Sequence, residues 1–308
     1  MKILVLGATG FLGTRIVKRL QKEQMEFVPA SLSLGTDFRD MQQFKAFFEA
    51  TKPDIVFNCA AFVGGIQFVS KRAGEVYFNN SLINTNLFEL AREYNVKRIV
   101  NPISNCSYPR DVFENFKEEE WWNGALEESV LTYGFIRKAS YVQSWAYHRQ
   151  YGLETINLLI PNMYGPDDHF QEVRSHAMGA QIMKITEAHI NKVSKVIVWG
   201  TGTPVREWLY VDDCVEAMIR AINMPFTNEP INVGVGHGIS VLEMVTQIKK
   251  AVGYEGNLVL DKTKPDGAPY KVMDATKFKR LFSYFKFTNL DEGIQQTVNY
   301  YKQQKGYL

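Results

Sequence analysis

A chain of 308 residues with 45% hydrophobic content is long enough to bury a large core without covalent staples. Its 35 basic and 33 acidic residues leave a formal charge of +2, which excludes a broad basic surface for nucleic acid but leaves room for a local anion pocket. Cys59, Cys106 and Cys214 are odd in number and far apart, so neither a disulfide framework nor a metal site is expected.

Met1-Lys2 runs straight into the apolar strand Ile3-Leu4-Val5-Leu6, too short for a secretory signal, and no later stretch approaches the ~20 apolar residues of a membrane span. A cytoplasmic protein without membrane contact is expected. Short β-branched runs then alternate with amphipathic stretches, the signature of a parallel sheet covered by helices. Strands are predicted at residues 2–6, 26–29, 55–58, 98–102 and 154–159. The first intervening helix sets Leu12, Ile16, Val17 and Leu20 on one face, and others are predicted at about 41–51, 74–94 and 133–151. Beyond Gly165-Pro166 come a helix from about Ser175, a strand at 195–199 and the loop Gly200-Thr201-Gly202-Thr203-Pro204. A helix from Val211 to Asn223 and the strand Ile231-Asn232-Val233 return to the sheet, and residues 237–308 read as further helices with a short strand at 258–260. The fold class is α/β: a Rossmann-like doubly wound parallel sheet with a smaller, interwoven C-terminal substrate lobe. Residues 1–164 and 208–236 are assigned to the first and 165–207 and 237–308 to the second, with no linker or repeat between them.

Directly after the first strand stands Gly7-Ala8-Thr9-Gly10-Phe11-Leu12-Gly13. Glycines at a strand-to-helix turn let the backbone approach a pyrophosphate and aim the N–H groups of the helix start at its charge, so dinucleotide binding is expected. Some 20 residues on, where an acidic side chain holds the ribose 2′-hydroxyl of NAD, the chain has Ala30-Ser31-Leu32-Ser33. Without a carboxylate there to repel a 2′-phosphate, and with Arg15 and the two serines to bind one, NADP(H) is favoured.

Several stretches resemble a known family. They are Cys59-Ala60-Ala61-Phe62-Val63-Gly64-Gly65-Ile66, Ser104-Asn105-Cys106-Ser107-Tyr108-Pro109, Arg149-Gln150-Tyr151-Gly152 and Asn162-Met163-Tyr164-Gly165-Pro166, followed by Ser175-His176, the run from Val198 to Glu207, and Lys264-Pro265-Asp266-Gly267. The chain is similar, over nearly its whole length, to the GDP-L-fucose synthases, the GDP-4-keto-6-deoxymannose 3,5-epimerase/4-reductases of the extended short-chain dehydrogenase/reductase superfamily.

The resemblance implies a reductase of a GDP-linked 4-keto sugar in nucleotide-sugar biosynthesis, feeding cell-envelope or capsule polysaccharide. Adding hydride to a ketone requires a proton for its oxygen. Tyr133 is the candidate acid and Ser104 the second hydrogen-bond donor. The family places a lysine four residues after the tyrosine, where this chain has Arg137, followed by Lys138. Residue i+4 lies ~40° around a helix from i, whereas i+5 lies ~140° away, so Arg137 takes the lysine's place beside Tyr133 at the cofactor, holding the nicotinamide ribose and stabilising the Tyr133 phenolate by its charge. Cys106 follows Ser104 by two residues, so extended backbone would point both side chains the same way. Cys106 and His176 match the pair that exchanges protons at C3 and C5. Asp37 and the alanines Ala60 and Ala61 match cofactor contacts, and Val63, Asn162, Trp199, Arg206, Lys264 and Asp266 match contacts to the sugar nucleotide. Where the family has an arginine after Lys-Pro-Asp-Gly-x-Pro the chain has Tyr270, and the segment Phe113 to Trp122 has no counterpart. Apolar residues on several helix faces, from Leu82 to Ala91 and from Val142 to Ala146, imply a homodimer through a four-helix bundle. Three rival readings remain at this point: a 4-reductase of a hexose or heptose without epimerisation, an NAD-dependent nucleotide-sugar 4-epimerase, and a non-catalytic NADP-binding sensor.

Overall fold

Residues 1–170, 177–264 and 266–308 are described by a computed structural model. Its centre is built from the four-residue apolar runs near the start of the chain. Strand β1 (Ile3–Leu6) pairs in parallel with β2 (Phe27–Ala30) on one side and β3 (Ile55–Asn58) on the other. β3 continues to β4 (Arg98–Ser104), β4 to β5 (Glu154–Ile160), and β5 to Ile231–Asn232, completing six parallel strands. Every residue of β1 and β3 is buried, as expected where helices cover both faces of a parallel sheet. The covering helices are α1 (Phe11–Lys22), α2 (Met41–Thr51), α3 (Ile66–Lys71), α4 (Ala73–Glu93) and α5 (Leu131–Tyr151).

Local chemistry sets their limits. Asp40 accepts from the N–H groups of Gln42 and Gln43 to start α2, and Gly152, at a φ of 75°, ends α5 in the left-handed region that favours glycine. Phe44 and Phe48 of α2 are fully buried with Leu4, Leu6, Val56, Leu87 and Phe88, each phenyl contributing roughly 2–3 kcal/mol of burial free energy.

The chain divides into two compact units. The first holds Met1–Tyr108, Leu126–Ile160 and Val215–Asn232; the second holds Pro109–Ala125, Pro161–Cys214 and Val233–Leu308. These bounds differ from the division expected from sequence, most clearly at 109–125. That stretch belongs to the second unit because Phe116 N–H donates to Val272 O at 2.8 Å and Asp274 N–H donates back to Phe116 O at 2.9 Å. The second unit's core lies between the helices Ala177–Ile190, Val241–Val252 and Leu290–Gln304, where Ile182, Ile185, Val245, Ile248, Ile294 and Val298 are fully buried. It also contains a parallel pair, Lys195–Trp199 with Asn257–Asp261, and a small sheet in which Val205–Arg206 lies between Ile239–Ser240 and Tyr270–Lys271.

The apolar excess on α4 needs a correction. Leu87, Phe88, Leu90 and Ala91 are fully buried within the first unit, so that stretch is core rather than a face left for a partner. The large apolar residues left exposed on α4 and α5 are Tyr77, Phe78, Leu131, Phe135, Val142, Trp145 and Tyr151. Among the described residues, no helix is long and apolar enough to cross a membrane and no His/Cys/Asp/Glu cluster is arranged to hold a metal.

Candidate nucleotide and catalytic site

Strand order reverses at β1, which has β2 on one side and β3 on the other, so the loops leaving the carboxyl ends of β1 and β3 diverge around a crevice. The glycine loop fills the first of these positions. A Cβ on Gly7 would sit 2.6 Å from Cys59 O, and one on Gly13 would sit 2.1 Å from Gly7 O. Backbone therefore packs on backbone, drawing the start of α1 onto the loop. Gly10 caps α1 without a side-chain hydrogen bond, and the first turn carries no acid, so its N–H groups suit an anion. The Phe11 and Leu12 side chains are buried, which leaves their backbone as the part able to face a ligand.

At the end of β2 the Thr9 and Ser33 hydroxyls lie 2.8 Å apart, and those of Ser33 and Ser31 lie 3.0 Å apart. Arg15 is half-buried on α1. Asp37 is chelated by Arg39: its Oδ1 accepts from Arg39 N at 3.0 Å and Nε at 2.8 Å, and its Oδ2 accepts from Nη2 at 2.6 Å. That pairing holds the Asp37 carboxyl below its ordinary pKa. Arg39 also donates to Asn79 Oδ1, and Asn86 Nδ2 donates to the carbonyls of Phe38 and Arg39. On the same helix Asn80 Oδ1 accepts from Phe62 N and Nδ2 donates to Phe62 O, both at 2.9 Å. These asparagines hold the Asp37 turn and the segment after β3, where Ala60 is buried, Ala61 half-buried and Val63 exposed. Sequence reasoning missed them, because an apolar helix pattern gives no reason to single out its polar residues.

Ser104 ends β4. The extended backbone expected to align Ser104 with Cys106 is not present: Asn105–Ser107 form a single 3-10 turn, with Cys106 N–H donating to Ser104 Oγ at 3.3 Å. Cys106 and Tyr133 instead meet by packing on the same apolar cluster of Val69, Val76 and Val130. Gly134 permits this, since a Cβ there would lie 2.4 Å from Cys106 O. Arg137 Nη2 donates to Tyr133 Oη at 3.1 Å, with its guanidinium carbon 5.0 Å from the ring centre. Arg137 is 5% exposed, and its Nε makes no hydrogen bond among the described residues. Leaving such a donor buried and unsatisfied costs ~1–3 kcal/mol, so the position suits a ligand that brings an acceptor. Burial pushes the Cys59 thiol up to about 12, against the pull of the Arg137 charge. Lys138 is also buried, and desolvation lowers its pKa to about 8. His176 lies outside the described residues.

The remaining candidates lie in the second unit. Trp199 is 49% exposed, with Lys184 Nζ 5.4 Å and Lys264 Nζ 5.6 Å from its ring centre. Asp266 acts as a brace: Oδ1 accepts from Thr201 N and Oδ2 from Thr201 Oγ1, both at 2.7 Å, fixing the loop after Trp199. Arg206 donates through Nη1 to Val205 O and through Nη2 to Asp266 O. Lys271, not singled out from sequence, pairs in register with Arg206, which makes the two cations cross-strand neighbours. Tyr270 pairs with Val205, so strand alternation turns it to the other face, where its Oη donates to Asn115 Oδ1 at 2.6 Å. The missing family arginine thus subtracts no charge from the face carrying Arg206.

Asn162 Nδ2 donates to Glu207 O at 3.4 Å. The Glu207 carboxylate, fully buried, accepts from Met273 N at 2.7 Å and Gly236 N at 2.8 Å, and desolvation raises its pKa from 4.5 to about 7. The folded chain then keeps this proton where the unfolded chain has lost it, so the associated stability is full below 4.5 and lost as pH rises through about 7. Melting temperature is expected to fall across that window, and the Glu207→Gln variant to flatten the fall; calorimetry at several pH values checks both.

A profile of the NAD dependent epimerase/dehydratase family matches residues 3–234. The chain is 33% identical to GDP-L-fucose synthase 1 of Arabidopsis thaliana, over 97% of this chain and 93% of that protein. Its fold superposes with a TM-score of 0.89 on the crystal structure of a GDP-L-fucose synthetase from Naegleria fowleri bound to NADP, at 26% identity over 99% of this chain and 95% of the other. It superposes with a TM-score of 0.91 on a GDP-6-OMe-4-keto-L-xylo-heptose reductase from C. jejuni, at 27% identity over 98% of each chain.

Proposed function

Because the chain belongs to the GDP-L-fucose synthase family, within the NAD dependent epimerase/dehydratase family, we propose that it reduces the C4 ketone of a GDP-linked sugar with NADPH. The observation that carries this reading is the Tyr133–Arg137 hydrogen bond in the unit that also holds the glycine loop.

The residues present fit a dinucleotide. Gly13 lets the start of α1 close onto the backbone of Gly7 and Ala8, the start of α1 lacks a side-chain cap, and the Arg137 Nε lacks an acceptor among the described residues. The backbone of residues 7–13 would hold the pyrophosphate. The hydroxyls of Thr9, Ser31 and Ser33, with Arg15, would hold the 2′-phosphate, and Asp37, Ala60 and Ala61 would line the cofactor's path. Bound NADPH supplies the hydride. Tyr133 hydrogen-bonds the substrate oxygen and gives it a proton, and Ser104 makes the second hydrogen bond. Arg137 stabilises negative charge left on the phenol oxygen, and being permanently charged it acts through its field rather than by relaying the proton. Cys106 and His176 serve as the acid–base pair for C3 and C5. Trp199 packs on the guanine, Arg206 and Lys264 bind the diphosphate with Lys271 beside them, and Asn162 and Val63 contact the sugar nucleotide.

The fold's likeness to a heptose reductase supports a second reading, 4-reduction without epimerisation. Mixing the protein with NADPH and GDP-4-keto-6-deoxymannose in D2O separates the two. Loss of NADPH absorbance with deuterium at C3 and C5 of the product establishes the epimerase/reductase. Loss without deuterium makes the protein a 4-reductase, and no loss with either this sugar or GDP-4-keto-heptoses sinks the reading. Copurified NAD with no NADPH consumption would indicate a 4-epimerase instead. We place the reaction in the cytoplasm, supplying precursors of cell-surface polysaccharide.

The exposed stripe of Leu131, Phe135 and Val142 on α5, beside Tyr77 and Phe78 of α4, supports a homodimer closed as a four-helix bundle. Phe135→Glu is expected to yield monomers in analytical ultracentrifugation at concentrations where the unmodified protein is dimeric.

A further inference from the structure

Three asparagines stand side by side in the central sheet. Asn101 of β4 pairs in register with Asn157 of β5, and Asn58, the next residue after Phe57 opposite Val100, falls beside Asn101 on β3. Asn58 Nδ2 donates to Asn101 Oδ1 at 3.0 Å, and Asn101 Nδ2 donates to Asn157 Oδ1 at 2.9 Å. The row then grips α5: Asn101 Nδ2 also donates to Ser140 Oγ at 3.1 Å, and Asn157 Nδ2 donates to Ser144 Oγ at 2.9 Å. All five side chains are at most 3% exposed.

Stability does not account for so much buried polarity. Asn58 Oδ1 is buried and accepts no hydrogen bond among the described residues, whereas an apolar row would fill the same space with nothing unsatisfied. The grip does fix one coordinate that apolar packing leaves soft, the position of α5 along its own axis. In a right-handed crossover the helix runs back against its strands. Tyr133 lies seven residues before Ser140, or ~10.5 Å along a helix. Ser104 lies three residues after Asn101, or ~10 Å along a strand. Fixing Ser140 to Asn101 therefore brings Tyr133 level with Ser104.

We propose that the Asn58–Asn101–Asn157 row and its clasp on Ser140 and Ser144 are positioning residues that set Tyr133 at the height of Ser104 for proton delivery to the substrate. The inference rests on the roles given to Tyr133 and Ser104 above. A displacement of ~1 Å in such a pair costs up to ~100-fold in rate. Ser140→Ala, Ser144→Ala and the double variant remove the clasp hydroxyls with minimal change of volume.

The test measures kcat, the NADPH Kd and thermal melting for these variants, alone and combined with Tyr133→Phe. The expected result is a fall of ~10-fold or more in kcat for the double clasp variant, with NADPH Kd unchanged. In the Tyr133→Phe background the same changes should have no further effect on kcat, because the group being positioned is gone. A merely structural clasp would lower both backgrounds equally, and that result overturns the proposal. If Tyr133→Phe is inactive and the clasp variants keep full kcat, the catalytic reading survives and the positioning role fails. A fully active Tyr133→Phe overturns both.

Discussion

Tyr133→Phe is expected to fold, to bind NADPH with unchanged affinity and to lose ~100- to 10,000-fold in kcat, the range a positioned acid contributes. The substitution removes one oxygen from a half-buried ring whose packing against Val69, Val76 and Val130 is apolar and remains. What disappears is the oxygen that accepts from Arg137 at 3.1 Å and that alone in this cluster can both give a proton and be stabilised by the adjacent guanidinium. Some stability is lost as well, because a second nitrogen of a buried arginine loses its acceptor; ~1–3 kcal/mol is expected. Steady-state kinetics, with the NADPH Kd measured separately by fluorescence titration, distinguish lost chemistry from lost binding. A KM rise with kcat unchanged would remove Tyr133 from the proton-transfer role.

Gly13→Ala should act on binding instead. Its new methyl group would stand 2.1 Å from Gly7 O and 2.9 Å from the Ala8 Cα, backbone atoms that cannot rotate out of the way. The first turn of α1 must then lift from the loop, carrying its N–H groups away from the pyrophosphate. Overpacking of this kind costs ~1–3 kcal/mol, which corresponds to a ~5- to 150-fold weaker NADPH Kd, readable by isothermal titration. Retained affinity would place the pyrophosphate elsewhere.

How far these sites could be read in advance depended on whether the signal was local. Gly7, Gly10 and Gly13 announce a strand-to-helix turn because their spacing is a local backbone requirement, and the strand and helix periods around them are equally local; β1 and β3 come out within a residue of expectation. Tyr133 and Arg137 could be paired from the geometry of one helix turn. Cys106 was placed beside Ser104 for the wrong reason, since strand alternation ends where the Ser104 hydroxyl captures the Cys106 N–H and tightens the chain into a turn. The excess of apolar residues between Leu82 and Ala91 was likewise legible, but whether it faced a core or a partner depended on packing that only the folded unit defines. Least legible were groups whose role arises from partners far along the chain. Lys271 gains meaning from its register with Arg206, and the asparagines of β3, β4 and β5 gain theirs from one another. The small sheet joining Val205–Arg206 to Ile239–Ser240 and Tyr270–Lys271 uses strands of two residues, too short to impose any periodicity.

The division into two units made of three segments each means that the chain passes from one to the other five times. No single cut frees either unit as an intact fragment, and neither unit can be exchanged between relatives as one contiguous cassette. A change of sugar specificity is therefore expected to come from point changes and from local stretches such as Phe113 to Trp122, rather than from exchange of modules. Directed evolution toward another sugar would do better to diversify that stretch and residues 199–206 and 264–271 together than to graft whole lobes.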